Sequence, residues 1–145
     1  MRSYIQGQFK PANPSKYVGK YPIVFRSSWE FKVMQMFDSN PSIMSWASES
    51  LKIPYQNPFT GKYTVYVPDF VVTYVDAKGN QKAEIIEVKP AKETFLEQAK
   101  SQKAKAAVAL NTFKWAAAHA FAKNHGMTFR VMNEGNIFNN PKGKG

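Results

Sequence analysis

The chain has 145 residues, 43% of them hydrophobic, with 20 Lys and Arg set against 10 Asp and Glu for a formal net charge of +10. That length predicts one domain with a buried core, and the apolar content excludes a compositionally disordered chain. Cysteine is absent, which excludes disulfides, thiolate zinc sites and thiol nucleophiles, and the two histidines, His119 and His125, are too few for a histidine metal cage.

No stretch approaches the roughly 20 apolar residues of a membrane span, and Met1–Gln6 has no signal-peptide core. A soluble, intracellular protein without a membrane partner is expected. The positive balance favours a polyanionic partner, most simply nucleic acid.

Residues 1–22 hold Arg2, Lys10, Lys16 and Lys20 and no acid, interspersed with Pro and Gly. They read as an extended basic arm rather than an element. A helix is predicted over 27–38: Ser27 caps it, Glu30 completes a capping box, and Trp29, Val33, Met36 and Phe37 recur at helical spacing until Asn40-Pro41. A short element from Ile43 to Trp46 follows, then an edge strand from Leu51 to Tyr55, whose Pro54 cannot donate to a ladder. Tyr63 to Val75 reads as one β-rich run interrupted at Pro68-Asp69, and Ala83 to Val88 as the next strand after a loop at Asp76–Asn80. These three runs are expected to form an antiparallel meander. The Ala-rich span 94–125 predicts one long helix, or two broken near Asn111-Thr112, closed by Gly126. Met127 to Met132 is a last strand, and residues 139–145 a basic tail carrying Lys142 and Lys144. The resulting domain organisation is an arm over 1–22, a domain over 23–138 and the tail.

The chemistry concentrates at Asp69 and at Glu87-Val88-Lys89. Alternation along a strand points Glu87 and Lys89 the same way, and a hairpin brings Asp69 beside them. Two carboxylates on adjacent strands suit a hard divalent cation such as Mg2+, with the Val88 carbonyl as a further oxygen ligand. The adjoining ammonium suits charge building on a phosphate. The bland readings are a turn residue for Asp69 and a solvated charge pair for Glu87 and Lys89. An acid in the middle of a β-rich run is costly unless paired or metal-bound. Glu84 and Lys82 read as an ordinary surface pair. Lys100, Lys103, Asn111 and Lys114 share about a quarter of the helical wheel, either as a phosphate-tracking stripe or as a solvated face, and Lys92 lies near enough to the motif to meet a phosphate. Trp29, Trp46, Trp115, Val108, Phe113 and Phe121 read as packing residues.

Pro68-Asp69 followed by Glu87-Val88-Lys89 resembles the PD-(D/E)xK nuclease superfamily. Phe25–Glu30, Trp46–Glu49, Val67–Phe70 and Glu87–Lys92, in that order, resemble its TnsA-like branch, in particular the phage enzymes of head completion. The N-terminal Tyr4–Gly7 and Phe9–Pro11 and, in the last helix, Asn111 with Lys114–Ala117 extend the similarity over most of the chain. The resemblance implies an α/β, restriction-endonuclease-like core: a mixed, mainly antiparallel sheet of about four strands flanked by helices. It implies Mg2+-dependent hydrolysis of double-stranded DNA, with Mn2+ as a substitute and no small-molecule cofactor. Asp69 and Glu87 would be metal ligands joined by Glu30 from the first helix, and Lys89 the motif lysine. It further implies processing of packaged DNA in the head–neck region of a virion, assembly in the host cytoplasm, and portal or neck proteins as partners. The competing function is a structural neck factor that binds DNA and cuts little or not at all. A transposase subunit or junction resolvase is a third possibility, and oligomeric state is open.

Overall fold

The computed structural model describes residues 6–91 and 100–137. A four-stranded mixed sheet forms the centre, with strand order β3 (Ile43–Ser48), β6 (Phe70–Val75), β7 (Gln81–Val88), β8 (Thr128–Met132). The first two pairings are antiparallel; β7 and β8 run parallel, joined through α2 (Gln102–Asn124). The remaining elements among the described residues are β1 (Gly7–Gln8), a single 3-10 turn (Pro14–Lys16), β2 (Val24–Phe25), α1 (Ser28–Ser39), β4 (Ile53–Gln56), β5 (Tyr63–Tyr66) and α3 (Glu134–Ile137).

Each face of the sheet carries its own core, as period-2 strands require. On one side Trp46, Phe70, Val72, Ile86 and Val88 pack against Trp29, Val33, Met34 and Phe37 of α1. On the other, Ile85 and Phe129 pack against Ala118 and Ala122 of α2 and against Ile53, Tyr55 and Tyr66 of the β4–β5 hairpin. Ser27 caps α1 by accepting from the Glu30 N–H at 3.2 Å. The return half of the capping box is shifted by one residue, because Glu30 Oε1 accepts from the Arg26 N–H at 3.0 Å.

Four expectations change in three dimensions. First, the Tyr63–Val75 run is not one strand. Pro68-Asp69 divides it, so β5 pairs only with β4 in a separate two-stranded sheet while β6 enters the central one. Pro68 cannot donate to a ladder and marks the crossing; the three runs therefore form two hairpins in separate sheets rather than one continuous meander. Second, the described part of the N-terminal arm is packed structure. β1 pairs with β2, Phe9 and Tyr17 are buried, and Tyr17 bridges to Trp46. Buried Asp38 holds this segment, accepting from the Ala12 and Asn13 N–H groups at 2.8 and 3.0 Å, while Lys16 Nζ donates to the Asp38 carbonyl at 3.0 Å. Third, Glu84 pairs across β7–β8 with Arg130 at 3.1 Å rather than with Lys82. Fourth, Phe113 lies 49% exposed on the outer side of α2 instead of packing.

The long helix is unbroken through Asn111-Thr112, where the Thr112 hydroxyl donates to the Val108 carbonyl. The expected stretch 94–99, Lys92 and the tail 139–145 lie outside the described residues. The turn α3 was not foreseen; it buries Ile137, and Glu134 accepts from the Ala91 N–H at 2.8 Å.

Asp38→Ala removes the acceptors of two part-buried hydrogen bonds and is expected to destabilise the protein by about 1–3 kcal/mol. Limited proteolysis should then cut preferentially within residues 6–20; an unchanged cleavage pattern and melting point would show that the segment is held elsewhere.

Candidate active site

The register of β6 and β7 builds the site. Phe70 stands opposite Ile86, so the next residues outward, Asp69 and Glu87, meet at the open end of the pair. Asp69 Oδ2 accepts from the Val88 N–H at 2.8 Å, and the Asp69 N–H in turn faces the Glu87 carboxylate. Phe70, Ile86 and Val88 look into the α1 core; alternation therefore turns Asp69, Glu87 and Lys89 to the α2 side. Lys89 continues past the strand, its backbone N–H donating to the Met132 carbonyl at 3.0 Å.

The electrostatics of the pair are strained. Burial first, then Glu87, then Glu30 push the Asp69 carboxyl well above the usual aspartate range, against the Val88 N–H and Lys89, which favour the charge. Glu87 is also raised, by burial, while the Tyr66 hydroxyl, Lys89, the Asp69 N–H and Lys114 oppose the shift. Two crowded carboxylates with an excess of oxygen lone pairs form the donor set of a hard dication, which would relieve both burial and repulsion. The residues present thus fit Mg2+ or Mn2+. Glu30, from α1, acts on Asp69 electrostatically. Among the described residues, however, no three His, Cys, Asp or Glu side chains stand together at metal-holding distance. The structure brings the two strand carboxylates together at the strand end, and the charge of Glu30 is felt at Asp69.

Beside the pair runs a groove of about 450 Å3 lined by Lys89, Ser101, Lys103, Val108, Asn111 and Lys114, among others. Three of the four predicted stripe residues, Lys103, Asn111 and Lys114, share this groove with the motif lysine; Lys100 is exposed but does not line it. Asn111 is buried, and Lys114 Nζ lies 5.9 Å from the centroid of the Tyr66 ring. His119 packs edge-on against Phe129 and His125 bonds to the Phe121 carbonyl, so neither faces the site.

Sequence reasoning passed over three residues at the site. Tyr66 donates its hydroxyl to Glu87 Oε1 at 2.7 Å in a buried contact. Arg26 makes a two-pronged ion pair with Glu49 at 3.0 and 3.1 Å and feels both Glu30 and Asp69. Glu49 adopts a left-handed backbone, φ +50°, and its N–H donates to the Asp69 carbonyl at 2.9 Å. Such a conformation is disfavoured for a side chain with a Cβ, and here it occurs on the residue bonded to the Asp69 backbone. Arg26 and Glu49 fall within the blocks that carried the resemblance; Tyr66 gave no signal beyond its place three residues before Asp69.

Residues 40–134 match the family described as TnsA-like endonuclease N terminal. The chain belongs to this TnsA-like endonuclease family. It is also 34% identical over 139 residues to the Head completion nuclease of Enterobacteria phage T4, an alignment covering 88% of this chain and 90% of the relative. The α/β core with its mainly antiparallel sheet is the restriction-endonuclease-like fold expected of the TnsA-like family. The family match takes in Asp69, Glu87 and Lys89 and begins after Glu30.

Proposed function

We propose that the protein is a metal-dependent DNA endonuclease of phage head completion, acting on packaged double-stranded DNA in the head–neck region of the virion, where portal or neck proteins receive it after assembly in the host cytoplasm. The observation that carries this reading is the meeting of Asp69 and Glu87 at one strand end with Lys89 beside them. Membership of a nuclease family and similarity to a relative named for head completion support it.

Asp69 and Glu87 would hold Mg2+, or Mn2+ in its place, with Glu30 and the Val88 carbonyl as further oxygen donors. The cation supplies Lewis acidity and acidifies water when bound. Lys89 stabilises negative charge growing on the phosphoryl oxygens and orients the attacking water. Lys103, Asn111 and Lys114, which line the groove with Lys89, offer donors to the backbone phosphates. None of these contacts reads a base edge, so cutting should have low sequence preference.

The test is cleavage of supercoiled plasmid with Mg2+ or Mn2+ against a chelator control; nicked and linear products are expected only with metal. The net charge of +10 also suits a second reading, an assembly factor with DNA affinity and little nuclease activity. No cleavage with any metal, together with normal virions from an Asp69→Ala phage, would establish that reading instead.

Duplex affinity measured by fluorescence anisotropy should fall steeply between 50 and 200 mM salt, as counterion release requires. Lys103→Ala should flatten the log–log slope by about 1 without changing the melting point. An unchanged slope would remove the groove from the DNA path.

A further inference from the structure

Glu87 owes its position to more than its own strand. We propose that Tyr66 is a positioning residue for metal binding: its hydroxyl, delivered by the β4–β5 hairpin, holds one oxygen of Glu87 so that the carboxylate presents its remaining lone pairs to the cation. The inference rests on the metal-dependent reading above.

Four observations carry it. The Tyr66 hydroxyl donates to Glu87 Oε1 at 2.7 Å, and both residues are buried, so water does not compete for the bond. Tyr66 lies on a sheet separate from the one that carries Glu87, and so the contact ties a second unit of the fold to the site. The ring is fixed on both sides. It sits in the α2 core with Tyr55 and Ile85, and Lys114 covers it at 5.9 Å. Behind the hydroxyl, the Trp115 indole faces the phenol oxygen, and its Nε1 has no closed hydrogen bond among the described residues.

The chemistry is that of an outer-shell partner. A carboxylate has about four lone-pair sites; the phenol takes one of them and leaves the carboxylate further lone pairs to offer a cation. A phenol is neutral, so unlike a salt-bridge partner it leaves the carboxylate's negative charge uncompensated for the cation, and it limits side-chain rotation at the same time. Outer-shell partners of metal-binding carboxylates characteristically change metal affinity about 10–100-fold when removed.

The experiment titrates Mn2+ into the DNA-free, full-length protein, by calorimetry and by the electron paramagnetic resonance of free Mn2+. Wild type, Tyr66→Phe and Asp69→Ala are compared, and circular dichroism checks each fold. Tyr66→Phe keeps the ring, the core and the Lys114 contact and deletes only the hydroxyl. It is expected to bind Mn2+ about tenfold or more weakly at an unchanged melting point within a few degrees. Wild-type affinity in Tyr66→Phe, with binding lost in Asp69→Ala, would overturn the positioning role and leave the metal-dependent reading standing. No Mn2+ binding by wild type would overturn that reading, and this inference with it. Should Tyr66→Phe fail to fold in buffer, it is titrated in a stabilising osmolyte alongside wild type in the same solvent. A weaker Kd than wild type then supports the positioning role, and an equal Kd overturns it.

Discussion

Asp69→Asn is expected to abolish cleavage, by at least about 10²–10³-fold, the loss that follows deletion of a single preorganised charge-handling group, and at the same time to raise the melting temperature of the metal-free protein. The two effects have one cause. Folding crowds the Asp69 carboxylate by burial and places Glu87 and Glu30 against it, which raises its pKa above the ordinary aspartate value. A carboxyl raised on folding contributes most at low pH. That contribution is lost as pH climbs from the ordinary value through the raised one, and at neutral pH the ionised form works against the fold. Asparagine keeps an oxygen for the Val88 N–H and carries no charge. In chelator, the variant should therefore melt above wild type at pH 8, by roughly 2–4 °C for each kcal/mol recovered, and the gap should narrow towards pH 4. Adding millimolar Mg2+ should stabilise wild type by linkage and leave the variant unmoved. A variant that melts below wild type at pH 8 would show that the Val88–Asp69 bond outweighs the repulsion.

Lys89→Ala is expected to reduce kcat by about 10²–10³-fold with little change in stability. The side chain is half-buried and lines the groove, and the backbone hydrogen bond to the Met132 carbonyl survives substitution. Because Lys89 also favours the charged forms of Asp69 and Glu87, its loss should weaken Mn2+ binding far less than loss of Asp69 does. A drop in kcat at near-normal metal affinity separates a role on the phosphate from a role in assembling the carboxylates. Equal losses in both would assign Lys89 to the carboxylates alone. Lys89→Arg should recover little, since a planar fork does not replace a compact ammonium at a single point.

The two substitutions divide the site along the line the fold draws. Asp69 sits where the chain leaves one sheet for another, and it receives hydrogen bonds and repulsion from its neighbours; Lys89 sits where a strand ends and a groove begins. Glu30, in the first turn of α1, accepts from the Arg26 N–H beside the Arg26–Glu49 pair, and its charge is felt at Asp69.

Much of the fold was legible in the sequence for local reasons. Ser27 with Glu30 marks a helix start because a side-chain oxygen and a free N–H meet within one turn. The Ala-rich span marks α2 because helix propensity sums over a long window, and Gly126, with φ +70°, closes it. Val88 and Ile86 facing one core, with Glu87 and Lys89 facing the other side, follow from strand alternation alone, and so the motif residues could be placed on a common face before any tertiary structure was known. Tertiary structure alone decided what those faces meet. Periodicity states which side chains point together but not which sheet a strand joins, and so Tyr63–Val75 read as one run although Pro68 sends its halves to different sheets. Composition made residues 1–22 look like a free arm; Phe9 and Tyr17 are buried because Trp46 and Asp38, both distant in sequence, supply the apolar wall and the hydrogen-bond acceptors. The hydroxyl of Tyr66 found Glu87, and Lys114 the same corner, through packing against α2. Contacts between residues 20 to 50 positions apart leave no periodic trace in a single chain, since they depend on how separate elements fill space together.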